Sequence, residues 1–225
     1  MEFDALLNFE DVLNTYKSKE AGVKALSKYS YWFPLRASPN LAGIVADLMG
    51  DGHLQDYPKL RLDYTSKSLN ELDRFNFEMY KTFRIKGNSR KCFTNHYGTY
   101  NLGINCKPLV RTLKLIGVPT GSKVLIKFDI PKWILQDKSM FSRFANRLFS
   151  CEGSVDIKNR YLEIQMYKSE SLANDGVKTI PIRMKIKNMG SLINFRNFVS
   201  IDDPAKIARL KLITENNINK SLILA

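Results

Sequence analysis

The sequence predicts an α+β fold made of two similar halves, and three observations carry that prediction. First, two apolar, helix-like stretches each close on an acid followed by glycine: Leu41-Ala42-Gly43-Ile44-Val45-Ala46-Asp47-Leu48-Met49-Gly50-Asp51-Gly52 and Phe144-Ala145-Asn146-Arg147-Leu148-Phe149-Ser150-Cys151-Glu152-Gly153. Second, the spacing repeats: Asp51 and Glu152 lie 101 positions apart, and so do Lys67 and Lys168, each of which is followed by serine. Third, both halves contain segments that alternate apolar and polar residues, the period of a half-buried strand. A repeat of this length sets the architecture. Here it brings one carboxylate from each half to a shared axis.

Residues 1–37 read as a helical extension, with short helices over Phe9 to Tyr16 and Val23 to Tyr29 around Gly22. They form either an extension packed on the main body or a helix-turn-helix. The first repeat covers 38–117. Ser38-Pro39 opens its helix, serine as the cap and proline at the first helical position, and the helix runs to Gly50. Ala42, Gly43, Ala46 and Gly50 place small side chains at helical spacing, which suits a close helix pair. Lys59 to Ser66 reads as a strand, with Leu60, Leu62 and Tyr64 on one face and Lys59, Arg61, Asp63 and Thr65 on the other. Ser68 to Phe83 is an amphipathic helix through Leu69, Leu72, Phe75 and Met79. A strand near Lys91 to Asn95 pairs with one over Tyr97 to Asn105, whose polar face carries Thr99, Asn101 and Asn105. Lys107 to Ile116 is a helix ended by Gly117.

Residues 118–138 read as a linker and 139–200 as a second, shortened repeat. Its strands oppose Leu162, Ile164 and Met166 to Tyr161, Glu163, Gln165 and Tyr167, then Ile180, Ile182, Met184 and Ile186 to Thr179, Arg183, Lys185 and Lys187. Asn174-Asp175-Gly176 between them is a turn signal. Asp203-Pro204 starts a last helix in 201–225. The apolar strand faces call for helical cover. The polar faces form a broad surface rich in groups that contact phosphates and base edges.

Composition narrows the partner. The 225 residues hold 35 Lys+Arg against 22 Asp+Glu, a formal charge of +13 with 44% apolar residues, and the pI is about 9.6. This excess favours a polyanion, nucleic acid ahead of an anionic membrane surface. No apolar run reaches the roughly 18–20 residues of a spanning helix. Met1 to Asn14 carries acids and no basic stretch, so no secretory signal is expected, and the chain is expected inside the cell, in cytoplasm or nucleoid or an organellar matrix. Cys92, Cys106 and Cys151 show no paired spacing, and His53 and His96 are the two histidines. A zinc site would need a denser cluster.

Asp51 and Glu152 each sit at a helix C-terminus, where the helix dipole already disfavours negative charge. Two such ends brought together raise each other's carboxylate pKa unless a cation compensates. Hard divalent cations bind carboxylates and backbone carbonyls, so Asp51 and Glu152, with Gly50 and Cys151 just before them, make sense as a Mg²⁺ (or Mn²⁺) site. On a polyanion-binding face such a site suggests phosphodiester hydrolysis. Lys67, Lys168, Lys107 and Lys187, at strand ends, are candidate cations for the transition state.

These paired motifs resemble those of the LAGLIDADG homing endonucleases, in the single-chain, two-repeat form, over about residues 38–200. The resemblance implies a pseudo-twofold αββαββα duplication, with the motif helices packed at the centre and a saddle-shaped antiparallel sheet lying in the DNA major groove. It implies cleavage of both strands of a long, asymmetric duplex site by a monomer, with short 3′ overhangs, and a mobile intron as host element. Carried over, the metal-binding acids are Asp51 and Glu152, and the basic pocket residues are Lys107 and Lys187. Ser66-Lys67 and Tyr167-Lys168 stand where the family often has Gln-Lys, without the glutamine. Arg147 stands where the family usually has a small residue at the helix interface. Lys67 and Lys107 are 40 positions apart but Lys168 and Lys187 only 19, so the second sheet is expected to be smaller. Relatives that act as RNA-binding intron maturases supply one alternative, with intron RNA as partner. A DNA-binding regulator that does not cut is the other.

Overall fold

The computed structural model describes residues 5–92, 98–169 and 179–215. The chain runs β1 (Ala5–Leu7), α1 (Phe9–Leu13), α2 (Lys19–Leu26), a 3-10 turn (Ser27–Trp32) and β2 (Leu35–Arg36). It continues through α3 (Pro39–Met49), β3 (Gly52–Leu54), β4 (Leu62–Ser66), α4 (Leu69–Phe83), β5 (Asn88–Lys91), β6 (Tyr100–Ile104) and α5 (Lys107–Leu115). After α6 (Lys132–Leu135) come α7 (Lys138–Glu152), β7 (Gly153–Asp156), β8 (Tyr161–Ser169), β9 (Thr179–Ile186), α8 (Met189–Phe198) and α9 (Pro204–Glu215).

Two antiparallel sheets flank a central helix pair. The first sheet has the order β3-β4-β6-β5, the second β7-β8-β9. Each begins directly after a motif helix, so β3 and β7 occupy corresponding places: Gly52 pairs with Tyr64, and Gly153 with Ile164. The second half lacks counterparts of α4 and β5 among its described residues, because β8 pairs directly with β9, Ile164 opposite Met184. The smaller second sheet expected from the spacing is therefore observed. The turn expected at Asn174–Gly176 lies outside the described residues, as do Lys91–Asn95 beyond Cys92 and the tail after Glu215.

α3 is buried on every side, from Leu41 through Met49. A helix apolar all round belongs in a core. α4 and α5 lie over the apolar face of the first sheet. Leu72, Phe75, Met79 and Phe83 point inward, and the Phe75 ring stacks on Tyr64 at 4.3 Å. A second cluster gathers Phe149, Leu162, Leu192, Leu210 and Ile213 in the other half. The N-terminal extension packs on the body, the simpler of its two readings. Arg111 donates to the Thr15 carbonyl at 2.7 Å, and Trp32 Nε1 to the Phe83 carbonyl at 2.8 Å. Among the described residues no helix is long and apolar enough to cross a membrane.

Several elements differ from expectation for identifiable reasons. β4 starts at Leu62 rather than Lys59, because Leu60 adopts a left-handed φ of 46° that interrupts the alternation. α8 has no strong sequence signal. Gly190, Ser191, Asn194 and Asn197 are poor helix formers, and tertiary burial of Leu192 with Met189, Phe195 and Phe198 packed around it decides the outcome. The 118–138 linker contains α6.

The motif helices meet in two ways. At their C-terminal ends the approach is close: a Cβ on Gly50 would fall 2.6 Å from Cys151 Cβ. Two turns further back the space is taken by arginines, since a Cβ on Gly43 would lie 3.2 Å from Arg143 Nε and 3.4 Å from Arg147 Cγ. Arg147, 1% exposed, donates from Nε to Asp47 Oδ1 at 2.9 Å and from Nη2 to Glu71 Oε2 at 2.6 Å, and lies 3.3 Å from Asp202 Oδ2. Arg74 of α4 completes the ring on Asp47 at 3.0 Å. The larger residue at the interface is thus matched by a fully buried acid. Removing one member of such a pair leaves an uncompensated buried charge. Asp47→Ala is expected to cost roughly 3 kcal/mol in urea unfolding, at the lower end for buried pairs because Glu71 and Asp202 still face Arg147. The double change Asp47→Leu/Arg147→Met should recover most of that loss.

Candidate active site

Asp51 follows the last turn of α3, and Glu152 closes α7. Because the helix ends abut at Gly50 and Cys151, the two acids come together electrostatically while facing different hollows. Asp51 lines a cleft of about 860 Å³ with Ser66, Lys67, Ser150 and Cys151. Glu152 lines a smaller hollow of about 170 Å³ with Gly50 and Lys123. Burial raises the Glu152 carboxyl above the usual range, and the Asp51 charge raises it further, against Lys123 and Lys206. Asp51 is also raised, first by burial and then by Asp47, while the Cys151 thiol, Lys123 and Lys206 oppose the rise.

The cations at the two acids are Lys123 and Lys206. Lys123 Nζ donates to the carbonyls of Leu48 at 3.3 Å, Met49 at 3.0 Å, and Gly50. Lys206 Nζ donates to the carbonyls of Phe149 at 2.9 Å and Ser150 at 2.6 Å. Each motif helix thus has an ammonium on its unsatisfied C-terminal carbonyls, where the dipole is negative. Burial lowers the Lys206 pKa, while Asp203, Cys151 and Asp51 oppose that effect.

The expected lysines are placed differently. Lys107 opens α5 and Lys187 lies between β9 and α8, both exposed, and neither is the helix-end cation. Lys67 shares the Asp51 cleft. Nothing is described of the Lys168 side chain. Lys123 and Lys206 escaped the sequence because the fixed offset fails for them: Lys123 is 72 positions after Asp51, Lys206 only 54 after Glu152. The shortening of the second half removes the equal spacing that revealed the acids.

The donor set suits a hard cation in kind. Two desolvated carboxylates, Glu152 raised further by Asp51 and Asp51 by Asp47, are relieved by added positive charge, and their neighbours are backbone oxygens. The fit is nevertheless sparse. Among the described residues no three His, Cys, Asp or Glu side chains gather around one point, and the Gly50 carbonyl already accepts from Lys123. The Cys151 thiol is raised well above its ordinary pKa by burial and by Asp47 and Asp51.

The strand faces are partly self-paired. Arg61 and Asp63 form an ion pair at 2.7 Å, and Gln55 donates to Asp63 at 2.8 Å. Asn101 donates to Thr65 at 3.3 Å. Glu163, expected on the open polar face, is buried at 7% exposure and held by Lys185 at 3.0 Å and Arg183 at 3.7 Å. Thr99, Asn105, Tyr161 and Gln165 remain at or beside strand surfaces, while Lys59 lies in the turn before β4.

No protein-family profile matches the sequence, and no curated protein matches it. Solved structures do match the fold. The homing endonuclease I-WcaI, solved bound to its DNA recognition sequence, is 14% identical, covering 90% of this chain and 97% of its own, with a TM-score of 0.53. I-DmoI in complex with DNA and Mn is 13% identical over 72% of this chain and 96% of its own, TM-score 0.46. The N-terminal LAGLIDADG domain of DUF199/WhiA is 15% identical over 77% of this chain and 88% of its own, TM-score 0.46. At 14% identity the likeness to I-WcaI establishes the architecture alone: this chain has the fold of that homing endonuclease.

The raised acids carry a stability signature. A carboxyl whose folded pKa exceeds its unfolded value contributes stability at low pH and loses it as pH rises through the folded pKa. Asp51→Asn and Glu152→Gln should therefore each raise the thermal midpoint at pH 7, on the order of 2 °C, and the gain should vanish below about pH 4. Calorimetry across pH 3–8 measures both.

Proposed function

We propose that this chain is a site-specific, double-strand DNA endonuclease that works as an intracellular monomer, carried by a mobile intron. The observation that supports it best is the pair of acids at the abutting ends of α3 and α7, each beside a lysine, set between two antiparallel sheets. Asp51 and Glu152 would hold a divalent cation, Mg²⁺ or Mn²⁺, which acidifies an attacking water and offsets charge on the leaving oxygen. Lys123 and Lys206 bring fixed positive charge to the place where a scissile phosphate gains negative charge. The two acids would serve one strand each, as the duplication suggests.

Phosphate contacts from the basic surface set affinity and its salt dependence, and strand-face side chains read bases. The first sheet, with four strands, would specify its half-site more stringently than the three-stranded second. One observation favours a second reading, binding without cleavage: the helix-end carbonyls already hold ammonium groups, which compete with a cation for the same oxygens.

Cleaved sites selected from a randomised duplex library, with and without Mg²⁺, separate the readings. Mg²⁺-dependent scission is the expected result, and tight binding with no scission in Mg²⁺ or Mn²⁺ supports the second reading. On the selected site, Asp51→Asn and Glu152→Gln should abolish scission and leave duplex affinity within a few-fold. Lys123→Met should slow scission by about 10²-fold or more.

A further inference from the structure

α4 shields the first sheet with one face and shows solvent an unusual second one. Phe77, Tyr80, Lys81 and Arg84 recur at helical spacing, opposite the buried Leu72, Phe75, Met79 and Phe83. Phe77 is 61% exposed, an uncommon place for phenylalanine in the middle of a 15-residue helix, and Tyr80 is 39% exposed. Cations ring the tyrosine: the Arg84 guanidinium lies 5.4 Å and Lys86 Nζ 4.8 Å from its centroid. Arg84 caps the helix in the left-handed conformation, φ 55°, its N–H donating to the Tyr80 carbonyl, which leaves its guanidinium beside the ring. The N-terminal extension adds to the patch at the same helix end. Tyr31, 58% exposed, donates to the Phe83 carbonyl at 3.3 Å. Asp73, one turn before Phe77, is the exposed acid on this face.

Exposed rings interleaved with lysine and arginine match one chemistry closely. Unpaired bases stack on aromatic faces while flanking phosphates meet the cations, and duplexes, whose bases are already stacked, cannot use the rings. The patch lies across the helix layer from the polar strand faces, so it is separate from the groove that would hold a duplex. We propose that the outer face of α4, with Tyr31 at its end, is a second nucleic-acid surface that binds single strands.

Fluorescence anisotropy of the full chain with a labelled 12-mer oligouridylate and the matching oligothymidylate tests this, in excess unlabelled duplex of random sequence. Binding to either oligomer that survives the duplex is expected, and preference for one assigns the strand to RNA or DNA. Phe77→Ala/Tyr80→Ala should weaken it roughly tenfold or more. Lys81→Gln/Lys86→Gln, which keeps the rings, should make the salt slope shallower by about 0.7 per lysine. Both pairs are solvent-facing, and unchanged thermal midpoints and unchanged duplex binding would confirm intact folding. No oligomer binding, complete displacement by the duplex, or equal affinity in the ring variant would overturn the proposal. So would a patch-dependent affinity for phosphatidylserine vesicles without oligomer binding.

Discussion

The abutment of α3 and α7 governs the rest of the molecule. Gly50 leaves no room for a side chain against Cys151, so the two helix ends meet backbone to side chain, and both acids are carried to that junction. The same closeness creates the electrostatic problem the site must solve. Two negative helix ends, two ionisable carboxylates and the buried Asp47 are concentrated in a small, partly desolvated volume, where like charges raise each other's pKa. Left uncompensated, these charges would oppose the helix contact at neutral pH.

Cations from four parts of the chain make the junction tenable. Arg147 and Arg74 neutralise Asp47 within the interface, and Lys123 and Lys206 sit on the carbonyls of the helix termini. Of these, Arg147 alone belongs to a motif helix; Arg74 comes from α4, Lys123 from the linker and Lys206 from the first turn of α9. The lysine contacts therefore tie later segments of the chain to the central axis. The compensation is partial, as the raised carboxyls of Asp51 and Glu152 show. Burial is the first cause of that rise, with the Asp51 charge adding to it at Glu152 and the Asp47 charge at Asp51, so added positive charge would relieve both acids.

Much of this was legible in the sequence because it rested on local pattern. The capped start of α3, the amphipathic α4, the alternating β8 and β9 and the paired acids each announce themselves within a dozen residues or at a constant offset. What stayed hidden depended on contacts between distant segments. Lys123 and Lys206 have no shared spacing once the second half is shortened. α8 is helical through burial against its own tertiary surroundings, against weak propensity. Arg147 looked misplaced at a helix interface until Asp47, 100 positions earlier, was seen to face it, with Gly43 leaving space for its stem. Glu163 read as a polar-face residue by alternation, and only the register of β9, which sets Lys185 opposite it, shows that it is already engaged.

The asymmetry of the halves follows from the same shortening. In the first half α4 covers the apolar strand face. Without its counterpart, Ile182 and Met184 of β9 stand 56% and 57% exposed, and α8, α9 and the linker residues Phe128 and Ile130 close only part of that face. The first half thus has the larger sheet, the fuller core and the docked N-terminal extension, while the second contributes its acid and little surplus structure. A duplicated scaffold tolerates this division because the shared requirement is confined to the axis: one helix end, one acid and one lysine from each half. Away from that axis the halves are free to diverge, and α4, which has no counterpart among the described residues of the second half, shows where they have done so.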